Sequence, residues 1–262
     1  MNEHPLKISI ATVTYNAGAL LEKTIASVEN QTYPYVEHVI VDGNSTDLTM
    51  EVIHHYQERN SVSAKRHEIN ILSESDNGLY DAMNKAIQMS TGNYILFLNA
   101  GDCLHTPQTL EKVVMAIQNC SKIPAVVYGD TDIVNDSGVF IRKRRLSPPE
   151  KLTWKSFRKG MLVCHQAFFA SVEIAKTTPY QLKYRFSSDF DWCIRLMRQG
   201  EQLGRPLLNT HLIIADYLDG GLTTKNHRKS LWERFQIMTR HYGWGRTMGW
   251  HLFFIIRAAL KK

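Results

Sequence analysis

The sequence predicts an α/β fold in which a mostly parallel central sheet carries helices on both faces. In the first half of the chain, strand-like runs alternate with segments whose apolar residues recur at helical spacing. This is the order expected of parallel strands joined by helices. With 262 residues, 44% of them hydrophobic, the chain is long enough to bury a full core. After Asp130 the alternation stops, and a mixed half rich in aromatic and basic residues follows.

The elements of the first half follow from periodicity and from the residues at their ends. Strands are predicted at KISIATV, VEHVIV, EINIL, NYILFLN and AVVYGD, with helices between them at AGALLEKTIASVENQ, DLTMEVIHHYQERN, LYDAMNKAI and TPQTLEKVVMAIQNC. Ser45 and Thr46 are candidates to cap the second helix, and Pro107 suits the first turn of the fourth helix.

The second half is predicted as a mixed region followed by a tail. DTDIVNDSGVFIRKRR indicates a hairpin with its turn at Asn135–Gly138, LSPPEKL breaks the chain, and DFDWCIRLMRQG indicates a helix. We therefore divide the chain into residues 1–130, 131–226 and 227–262, of which the first two are halves of one domain.

Positive charge is concentrated in the tail. The chain has a formal net charge of +6, but residues 225–262 hold nine Lys or Arg and one acid, whereas the rest holds 22 bases and 24 acids. This asymmetry indicates that the C-terminus meets an anionic surface. The four cysteines stand far apart, without metal-type spacing, which favours a reduced, cytosolic compartment. The polar residues 1–5 predict that no signal peptide is present.

Polar side chains follow each of the first four predicted strands. The strands end in TVTYNAG, VDGNSTD, SESDNG and LNAGD, and ligands of open α/β sheets bind beyond the carboxyl ends of the strands. We therefore expect a pocket, with SESDNGLYDAMNKAI forming one wall. The alternative for that stretch is a solvated helix face behind an Asn-Gly turn, with Asp81 and Lys85 as an i,i+4 pair.

The ligand class follows from what these loops contain. Neither G-x-G-x-x-G nor G-x-x-x-x-G-K-[ST] is present, and the first turn has a single glycine, Gly18. A phosphate-bearing ligand would therefore need its charge balanced by a cation. Asp102 suits a divalent cation shared with substrate phosphates. The acids after the second and third strands could instead accept hydrogen bonds from a ribose or a base.

The motifs resemble a known family when taken in order. ISIATVTYN, VIVDGNSTD, SESDNGLYDAMNKAI, YILFLNAGD, HQAFF, SSDFDWCIRL and GGLTT, over residues 7–226, resemble family 2 glycosyltransferases of the GT-A fold. The succession looks most like the branch that makes colanic acid and other exopolysaccharides. The resemblance implies that residues 1–130 bind a nucleotide sugar, and that residues 131–226 bind the acceptor and carry the catalytic group.

The resemblance also assigns residues to the nucleotide-sugar site. Thr12, Thr14, Tyr15 and Asn16 would lie against the nucleoside, Asp42 would hold the base or ribose, Asp76 would contact the nucleoside, and Asn84 would lie near the diphosphate. The family commonly binds Mn²⁺ or Mg²⁺ through D-x-D. This sequence has NAGD instead, so Asp102 is the one carboxylate ligand and Asn99 contributes a neutral oxygen. One carboxylate holds a hard cation more weakly than two.

The catalytic base is expected in SSDFDWCIRL. Inverting transfer needs a carboxylate within hydrogen-bond reach of the acceptor hydroxyl. Asp189 matches the family's base best, and Asp191 is the second candidate. The alternative is that either acid merely stabilises the start of the helix.

Two further motifs have structural and functional interpretations. His165 in HQAFF is expected to be a hydrogen-bonded structural residue or an acceptor contact rather than a metal ligand. GGLTT at Gly220–Thr224 either brings backbone donors close to the diphosphate or forms a plain turn.

The tail is predicted to lie at a membrane surface. Leu231, Phe235, Met238 and Tyr242 form one apolar stripe, and three tryptophans stand among Arg and Lys. The final apolar run, Leu252–Ile256, is far shorter than the roughly 20 residues that span a bilayer. A basic, Trp-bearing amphipathic segment is typical of the membrane interface, here the inner, cytoplasmic face. The alternative is that the tail packs on the body of the protein.

The predicted function is transfer of a sugar from a UDP- or GDP-sugar to a lipid-linked or oligosaccharide acceptor in bacterial surface polysaccharide synthesis. One rival class is a nucleotide-sugar-binding module with little turnover, which the single carboxylate of NAGD favours. The other is a nucleic-acid binder using the basic tail. The near-neutral body and the acids at the strand ends argue against nucleic acid as a partner.

Overall fold

One mixed sheet organises the chain. The computed structural model describes the backbone of residues 5–64, 66–220 and 226–259, and these residues form nine strands. The strands are β1 (Ile8–Thr14), β2 (Val36–Asp42), β3 (Glu68–Ser73), β4 (Tyr94–Phe97), β5 (Cys103–Leu104), β6 (Val126–Val134), β7 (Phe140–Lys143), β8 (Phe168–Ser171) and β9 (Leu207–Leu218).

The helices alternate with these strands. They are α1 (Gly18–Glu29), α2 (Thr49–Val62), α3 (Leu79–Met89), α4 (Thr109–Gln118), α5 (Val172–Thr177), α6 (Ser188–Gln202), α7 (His227–Tyr242) and α8 (Trp244–Ala259), with 3₁₀ turns at Trp154–Lys159 and His165–Ala167.

The sheet places the ends of the first four strands at one edge. The strand order is β3-β2-β1-β4-β8-β6-β9-β5, with β7 paired to β6. β3, β2, β1 and β4 are mutually parallel, whereas β8 runs antiparallel to both β4 and β6. The predicted α/β class is therefore confirmed. The predicted boundary at residue 130 falls inside β6, so the two halves share one continuous sheet.

Side chains of β1 point alternately into two hydrophobic cores. Ile8 and Ile10 pack with α1 and α4 on one face, and Ala11 and Val13 pack with α3 and α6 on the other. Every β1 residue is buried, as expected for a central parallel strand covered on both faces.

The stretch Ser73–Ile87 forms the end of β3, a turn and most of α3. Tyr80, Ala82, Met83, Ala86 and Ile87 are its buried helical residues, as the 3.6-residue period predicts. Gly78 precedes the helix with φ of 110°, a conformation that glycine adopts without the steric cost of a Cβ. The predicted Asp81–Lys85 pair is long, at 3.9 Å, because Lys85 lies closer to Glu74, at 2.8 Å.

The start of α2 differs from the prediction. Leu48 is the N-cap residue, and Ser45 turns back to bond Asp42. The side chain that serves this end of the helix is Asp47, whose Oδ1 accepts the Thr49 N–H at 2.9 Å. A carboxylate here also complements the positive end of the helix dipole.

The first helix of the tail belongs to the core. Ile237, Met238 and Tyr242 are buried in the cluster that also contains α3 and α6, whereas Leu231 is 48% exposed. The Tyr242 hydroxyl donates to the Trp154 carbonyl at 2.7 Å, and the two rings stack. The alternative interpretation, packing on the body, therefore describes α7, because its stripe buries core side chains.

The second helix of the tail presents an apolar face. Trp244, Met248 and Leu252 are 65%, 42% and 59% exposed, and their four-residue spacing places them on one side of α8. Among the described residues, no helix combines the length and the hydropathy that crossing a bilayer would require.

Candidate active site

The ends of β1, β2 and β3 meet around Gly43. A Cβ at Gly43 would lie 2.8 Å from Oδ2 of Asp76 and 3.2 Å from Cδ2 of Tyr15. Tyr15 is 64% exposed, and Asp76 is half-buried. The structure therefore brings together two of the predicted nucleoside contacts, and this close approach requires glycine between them.

Asp42 lies beneath this group and is fully buried. Its Oδ2 accepts the Ser45 N–H at 3.0 Å and the Ser73 hydroxyl at 2.7 Å, and its Oδ1 accepts the Ser45 hydroxyl. An ionised carboxylate offers about four acceptor positions, and three are used here. In this structure Asp42 holds the loops after β2 and β3, and its direct contact with a base or ribose stays a prediction.

Asn16 completes this wall in a left-handed conformation, with φ of 48°. Its Oδ1 accepts the Thr46 N–H at 2.9 Å, and its own N–H donates to the Ser45 hydroxyl at 2.8 Å. Asparagine tolerates this backbone conformation better than most residues. Asn16 thus ties the loop after β1 to the loop after β2.

Three further predicted nucleoside and diphosphate residues are buried or hydrogen-bonded within the protein. The Thr12 hydroxyl is fully buried, where it donates to the Leu98 carbonyl and bonds His38. Thr14 is buried too, and its hydroxyl has no hydrogen-bond partner in the structure. The Asn84 amide donates to the Tyr180 carbonyl at 3.1 Å and accepts the Tyr180 N–H at 2.7 Å. In this structure neighbouring backbone and ring groups occupy the polar atoms of Thr12 and Asn84, and contact of these residues with a ligand stays a prediction.

Asn99 and Asp102 share the turn after β4. Asp102 is 4% exposed; its Oδ1 accepts the Leu218 N–H at 3.0 Å, and its Oδ2 accepts the Gln166 amide at 2.9 Å. The Asn99 Oδ1 is buried and has no hydrogen-bond partner. An unpartnered buried amide oxygen is costly, and a cation would supply the missing partner.

Asp102 is a carboxylate whose charged form is penalised by burial. Burial raises its pKa to about 7, although the bonds from Leu218 and Gln166 favour the ionised form. A divalent cation would stabilise the ionised form. One carboxylate and one neutral oxygen fit a hard cation that takes its other ligands from substrate phosphates and water.

One further group of candidate ligands is present in the described part of the chain. Ligand atoms of His105, Asp132 and Asp216 lie within 4.8 Å of one another. His105 already bonds Asp216 at 2.7 Å, and Lys143 pairs with Asp132 at 2.7 Å. A cation there would have to displace the Lys143 ammonium.

The two acids of SSDFDWCIRL lie in different environments. Asp189 is half-buried, and its Oδ1 accepts the Tyr80 hydroxyl at 3.1 Å. Asp191 is fully buried and pairs with Arg195 at 2.6 Å and with His241 of α7 at 2.8 Å. Burial alone would raise the pKa of Asp191, but the His241 hydrogen bond and the Arg195 charge outweigh it and lower the pKa. Asp191 therefore belongs to the contact between α6 and α7 rather than to the pocket.

Tyr217 precedes Leu218 in β9, and the Leu218 N–H donates to Asp102. Burial raises the pKa of the Tyr217 hydroxyl, and the charge of Asp102 adds to that effect. The predicted rim comprises the loops after β1 to β4 and the start of α6; that these line one pocket stays a prediction.

A hollow of about 200 Å³ opens beside Tyr80, whose hydroxyl donates to Asp189. It is lined by Asn77, Gly78, Leu79, Tyr80, Asp81, Leu182, Tyr184, Arg185 and Phe186. The start of α3 forms one side, and the segment before α6 forms the other. A second hollow, of about 300 Å³, is lined by Thr177, Thr178, Arg195, Arg198, Gln199 and Gln202. None of these is a predicted site residue.

His165 is buried in the core. It bonds the Tyr180 hydroxyl and stacks on Phe97, with ring centroids 5.1 Å apart. Burial lowers its pKa to about 4, so the ring is neutral at pH 7. The structural interpretation of His165 thus agrees with its surroundings. Of GGLTT, Gly220 has φ of 97°, and residues 221–224 lie outside the described residues.

Several residues of the rim escaped the sequence reasoning. Tyr80, Gln166, Ser73 and Gly43 contact or space the predicted acids. Tyr80 and Ser73 lie within SESDNGLYDAMNKAI, Gln166 follows His165, and Gly43 follows Asp42. Each of these residues lies beside a motif in the sequence. Which of them point toward an acid depends on strand register, which the sequence alone does not give.

Comparison with known proteins agrees with this architecture. The family model "Glycosyl transferase family 2" matches residues 9–177. The "PGL/p-HBAD biosynthesis glycosyltransferase" of Mycobacterium bovis (strain BCG / Pasteur 1173P2) is 31% identical over 238 residues, covering 88% of this chain and 85% of that protein. The "Putative teichuronic acid biosynthesis glycosyltransferase TuaG" of Bacillus subtilis (strain 168) is 35% identical over 101 residues, 38% of each chain.

Solved structures share the fold at low sequence identity. S. aureus TarS 1-349 in complex with UDP-GlcNAc matches with a TM-score of 0.67 at 13% identity, covering 92% of this chain and 69% of that one. This chain spans 41% of a longer TarS chain. The mannosyltransferase PcManGT from Pyrobaculum calidifontis, in complex with GDP-Man and Mn²⁺, matches with a TM-score of 0.64 at 13% identity, covering 91% and 64%.

These matches confirm the predicted family, enzyme class and fold. The finer branch that makes colanic acid and exopolysaccharides stays a prediction, since the relatives above carry other pathway names. With its parallel strand ends, polar rim and helix-covered sheet, the chain belongs to glycosyl transferase family 2 and is a glycosyltransferase of the GT-A fold, with the nucleotide-sugar-binding architecture of that fold.

Proposed function

We propose that this enzyme transfers a sugar, with inversion, from a UDP- or GDP-sugar to a hydroxyl of a lipid-linked or oligosaccharide acceptor in bacterial surface polysaccharide synthesis. The observation that carries the proposal is the environment of Asp189. It is the half-buried acid of α6, it accepts the hydroxyl of Tyr80, which lines a hollow, and the other candidate, Asp191, is committed to two ion pairs.

Asp189 acts as the general base. It takes the proton of the acceptor hydroxyl, and the resulting oxygen attacks the anomeric carbon from the face opposite the leaving group. The bond between that carbon and the phosphate oxygen breaks as the new glycosidic bond forms. The nucleoside diphosphate leaves with the electron pair, and the proton remains on Asp189. A positioned base of this kind contributes about 10²–10⁴-fold to the rate.

The donor binds across the ends of β1 to β4. Tyr15, Asn16 and Asp76 form the nucleoside side, and the turn of Asn99 and Asp102 lies on the diphosphate side. Asp102, together with Asn99, would hold Mn²⁺ or Mg²⁺, which neutralises the charge of the leaving diphosphate. Two structures that share this fold hold such ligands: TarS 1-349 is in complex with UDP-GlcNAc, and PcManGT is in complex with GDP-Man and Mn²⁺.

The acceptor enters through the hollow lined by Tyr80 and Arg185. Its lining combines aromatic and apolar side chains, among them Tyr184 and Leu182, with polar groups such as Asn77 and Arg185. Flat aromatic surface beside hydrogen-bonding groups suits a sugar ring. The pathway names of the relatives, PGL/p-HBAD and teichuronic acid biosynthesis, are consistent with a lipid-linked or polymeric surface glycan as acceptor.

The enzyme works at the inner face of the membrane through α8. Its exposed stripe of Trp244, Met248 and Leu252 adjoins the exposed cation Arg246, a combination that favours the interface of an anionic bilayer. The test is sedimentation with vesicles containing phosphatidylglycerol. Replacing Trp244 and Met248 together by serine should abolish binding, whereas Ile123→Ser, at a 63% exposed position elsewhere, should not. If the double variant sediments as well as the wild type, α8 is not the anchor.

The catalytic proposal is tested by acceptor-dependent release of nucleoside diphosphate with Mn²⁺. Asp189→Asn should lower turnover by about 10²–10⁴-fold while leaving stabilisation by UDP or GDP intact. Asp191→Asn should lower thermal stability, because it leaves Arg195 and His241 without their buried partner, and retain turnover in the folded fraction. Full turnover in Asp189→Asn would refute the assignment. Nucleotide binding without acceptor-dependent release would favour the binding module.

A further inference from the structure

The segment that carries Asp189 is held from outside by α7. Oε1 and Oε2 of Glu233 accept the backbone N–H groups of Arg185 and Phe186, each at 2.8 Å. Next along the chain, the Ser187 hydroxyl bonds the Ser230 hydroxyl at 2.8 Å. One helix of the C-terminal tail thus fixes three successive residues before α6.

Glu233 is the central member of this contact. Two adjacent backbone N–H groups converge on its two oxygens, an arrangement that charge-assisted hydrogen bonds make strong and geometrically restrictive. The side chain is half-buried, so water competes with these bonds less than on an open surface. A second contact joins α6 to α7, since Nε2 of His241 lies 2.8 Å from Oδ1 of Asp191.

Two of the fixed residues line the pocket. Arg185 and Phe186 line the hollow beside Tyr80, and Asp189 follows Phe186 by three residues in the first turn of α6. Tyr80 in turn donates to Asp189 at 3.1 Å. The backbone that Glu233 holds therefore leads directly into the turn that carries Asp189.

We infer that Glu233 is a positioning residue for the transfer reaction: by holding the backbone of Arg185 and Phe186, it sets the distance between Asp189 and an acceptor hydroxyl in the hollow. This inference rests on the proposed role of Asp189 as base. It makes α7 part of the catalytic unit, because a small displacement of a catalytic group costs rate without costing donor affinity.

The test compares Glu233→Gln with the wild type. Glutamine keeps the length of the side chain but presents an N–H₂ group to one of the two backbone donors, so one hydrogen bond is lost. We expect kcat to fall at least tenfold while the KM for the donor changes less than twofold. The backbone amides of Arg185 and Phe186 should exchange hydrogen at least tenfold faster. Glu201→Gln is the matched control, since Glu201 bonds the Trp154 indole at 2.6 Å, and it should leave kcat unchanged.

A double variant separates positioning from general stability. If Glu233 acts through Asp189, adding Glu233→Gln to Asp189→Asn should lower the residual rate by less than twofold. Multiplicative losses, or a kcat of Glu233→Gln within twofold of the wild type, would overturn the inference. Failure of the proposed function has a different signature, namely full turnover in Asp189→Asn alone.

Discussion

The Tyr80 hydroxyl, at the start of α3, donates a hydrogen bond of 3.1 Å to Oδ1 of Asp189, at the start of α6. The bond joins the loop after the third strand to the helix proposed to supply the base. It crosses 109 residues of sequence and ties the start of α3 to the start of α6. Its loss should therefore be visible in the rate of catalysis.

Replacing Tyr80 by phenylalanine should lower kcat about tenfold, because the hydroxyl holds the Asp189 carboxylate in one orientation and a hydrogen bond to a charged group contributes about 1.5 kcal/mol or more. The KM for the donor should change less than twofold. Steady-state kinetics with Mn²⁺ measure both quantities. Tyr33→Phe, which removes a hydroxyl that donates to the Leu6 carbonyl, should leave kcat unchanged. An unchanged kcat in Tyr80→Phe would show that this bond does not position the base.

Stability should fall with pH because of Asp102. Its pKa is about 7 in the folded protein and about 4 in the unfolded chain, so the folded state binds the proton more tightly. Between pH 4 and pH 7 the free energy of unfolding should therefore decrease as pH rises, by up to about 1.4 kcal/mol per unit. Urea denaturation at pH 5 and pH 8 measures the free energy of unfolding, which should decrease less with pH in Asp102→Asn than in the wild type. Asp136→Asn, at an exposed position, should show the same decrease as the wild type.

The same residue predicts pH-dependent cation binding. Mn²⁺ and a proton compete for the Asp102 carboxylate, because metal ligands must be deprotonated. Mn²⁺ with UDP should therefore raise the melting temperature more at pH 8 than at pH 5.5, and Asp102→Asn should remove the difference. An equal shift at both pH values in the wild type would place the cation elsewhere.

Gly43 should be intolerant of a methyl group. The Cβ of alanine would lie 2.8 Å from Oδ2 of Asp76 and 3.2 Å from the ring of Tyr15, both under the ordinary contact distance. Gly43→Ala should weaken UDP or GDP binding about tenfold in calorimetric titration, because Asp76 and Tyr15 must move apart. Gly245→Ala, where no atom lies within 4 Å of the new Cβ, should bind normally. Unchanged affinity in Gly43→Ala would mean that nucleotide does not contact this wall.

Asn84 should matter for stability rather than for the donor. Asn84→Ala removes two hydrogen bonds with the Tyr180 backbone, which should lower the free energy of unfolding by about 1–3 kcal/mol. The KM for the donor should change less than twofold. Gln88→Ala, at an exposed position of the same helix, should change neither quantity. A tenfold rise in KM for Asn84→Ala would restore the predicted contact with the diphosphate.

The sequence by itself determined the order of the elements and the edge at which the site lies. Strand and helix periods are local properties, and the right-handed crossover of parallel strands brings their carboxyl ends to one edge. The sequence therefore predicts that the polar ends at Asp42, Asp76 and Asp102 lie at the same edge of the sheet. The spacing between Ser73 and Ile87 likewise predicted which face of α3 is buried.

Only the tertiary structure decided which polar side chains remain available. Asp189 and Asp191 are two residues apart on a helix, about 200° around its axis, so they point to opposite sides. Which of the two faces the active site depends on how α6 packs. In this structure Asp191 pairs with His241 of α7. Packing decided the tail as well: α7 buries Ile237 and Met238, whereas α8 leaves its apolar face open. Amphipathic periodicity predicts that a helix has an apolar face, but the partner of that face is chosen by residues distant in sequence.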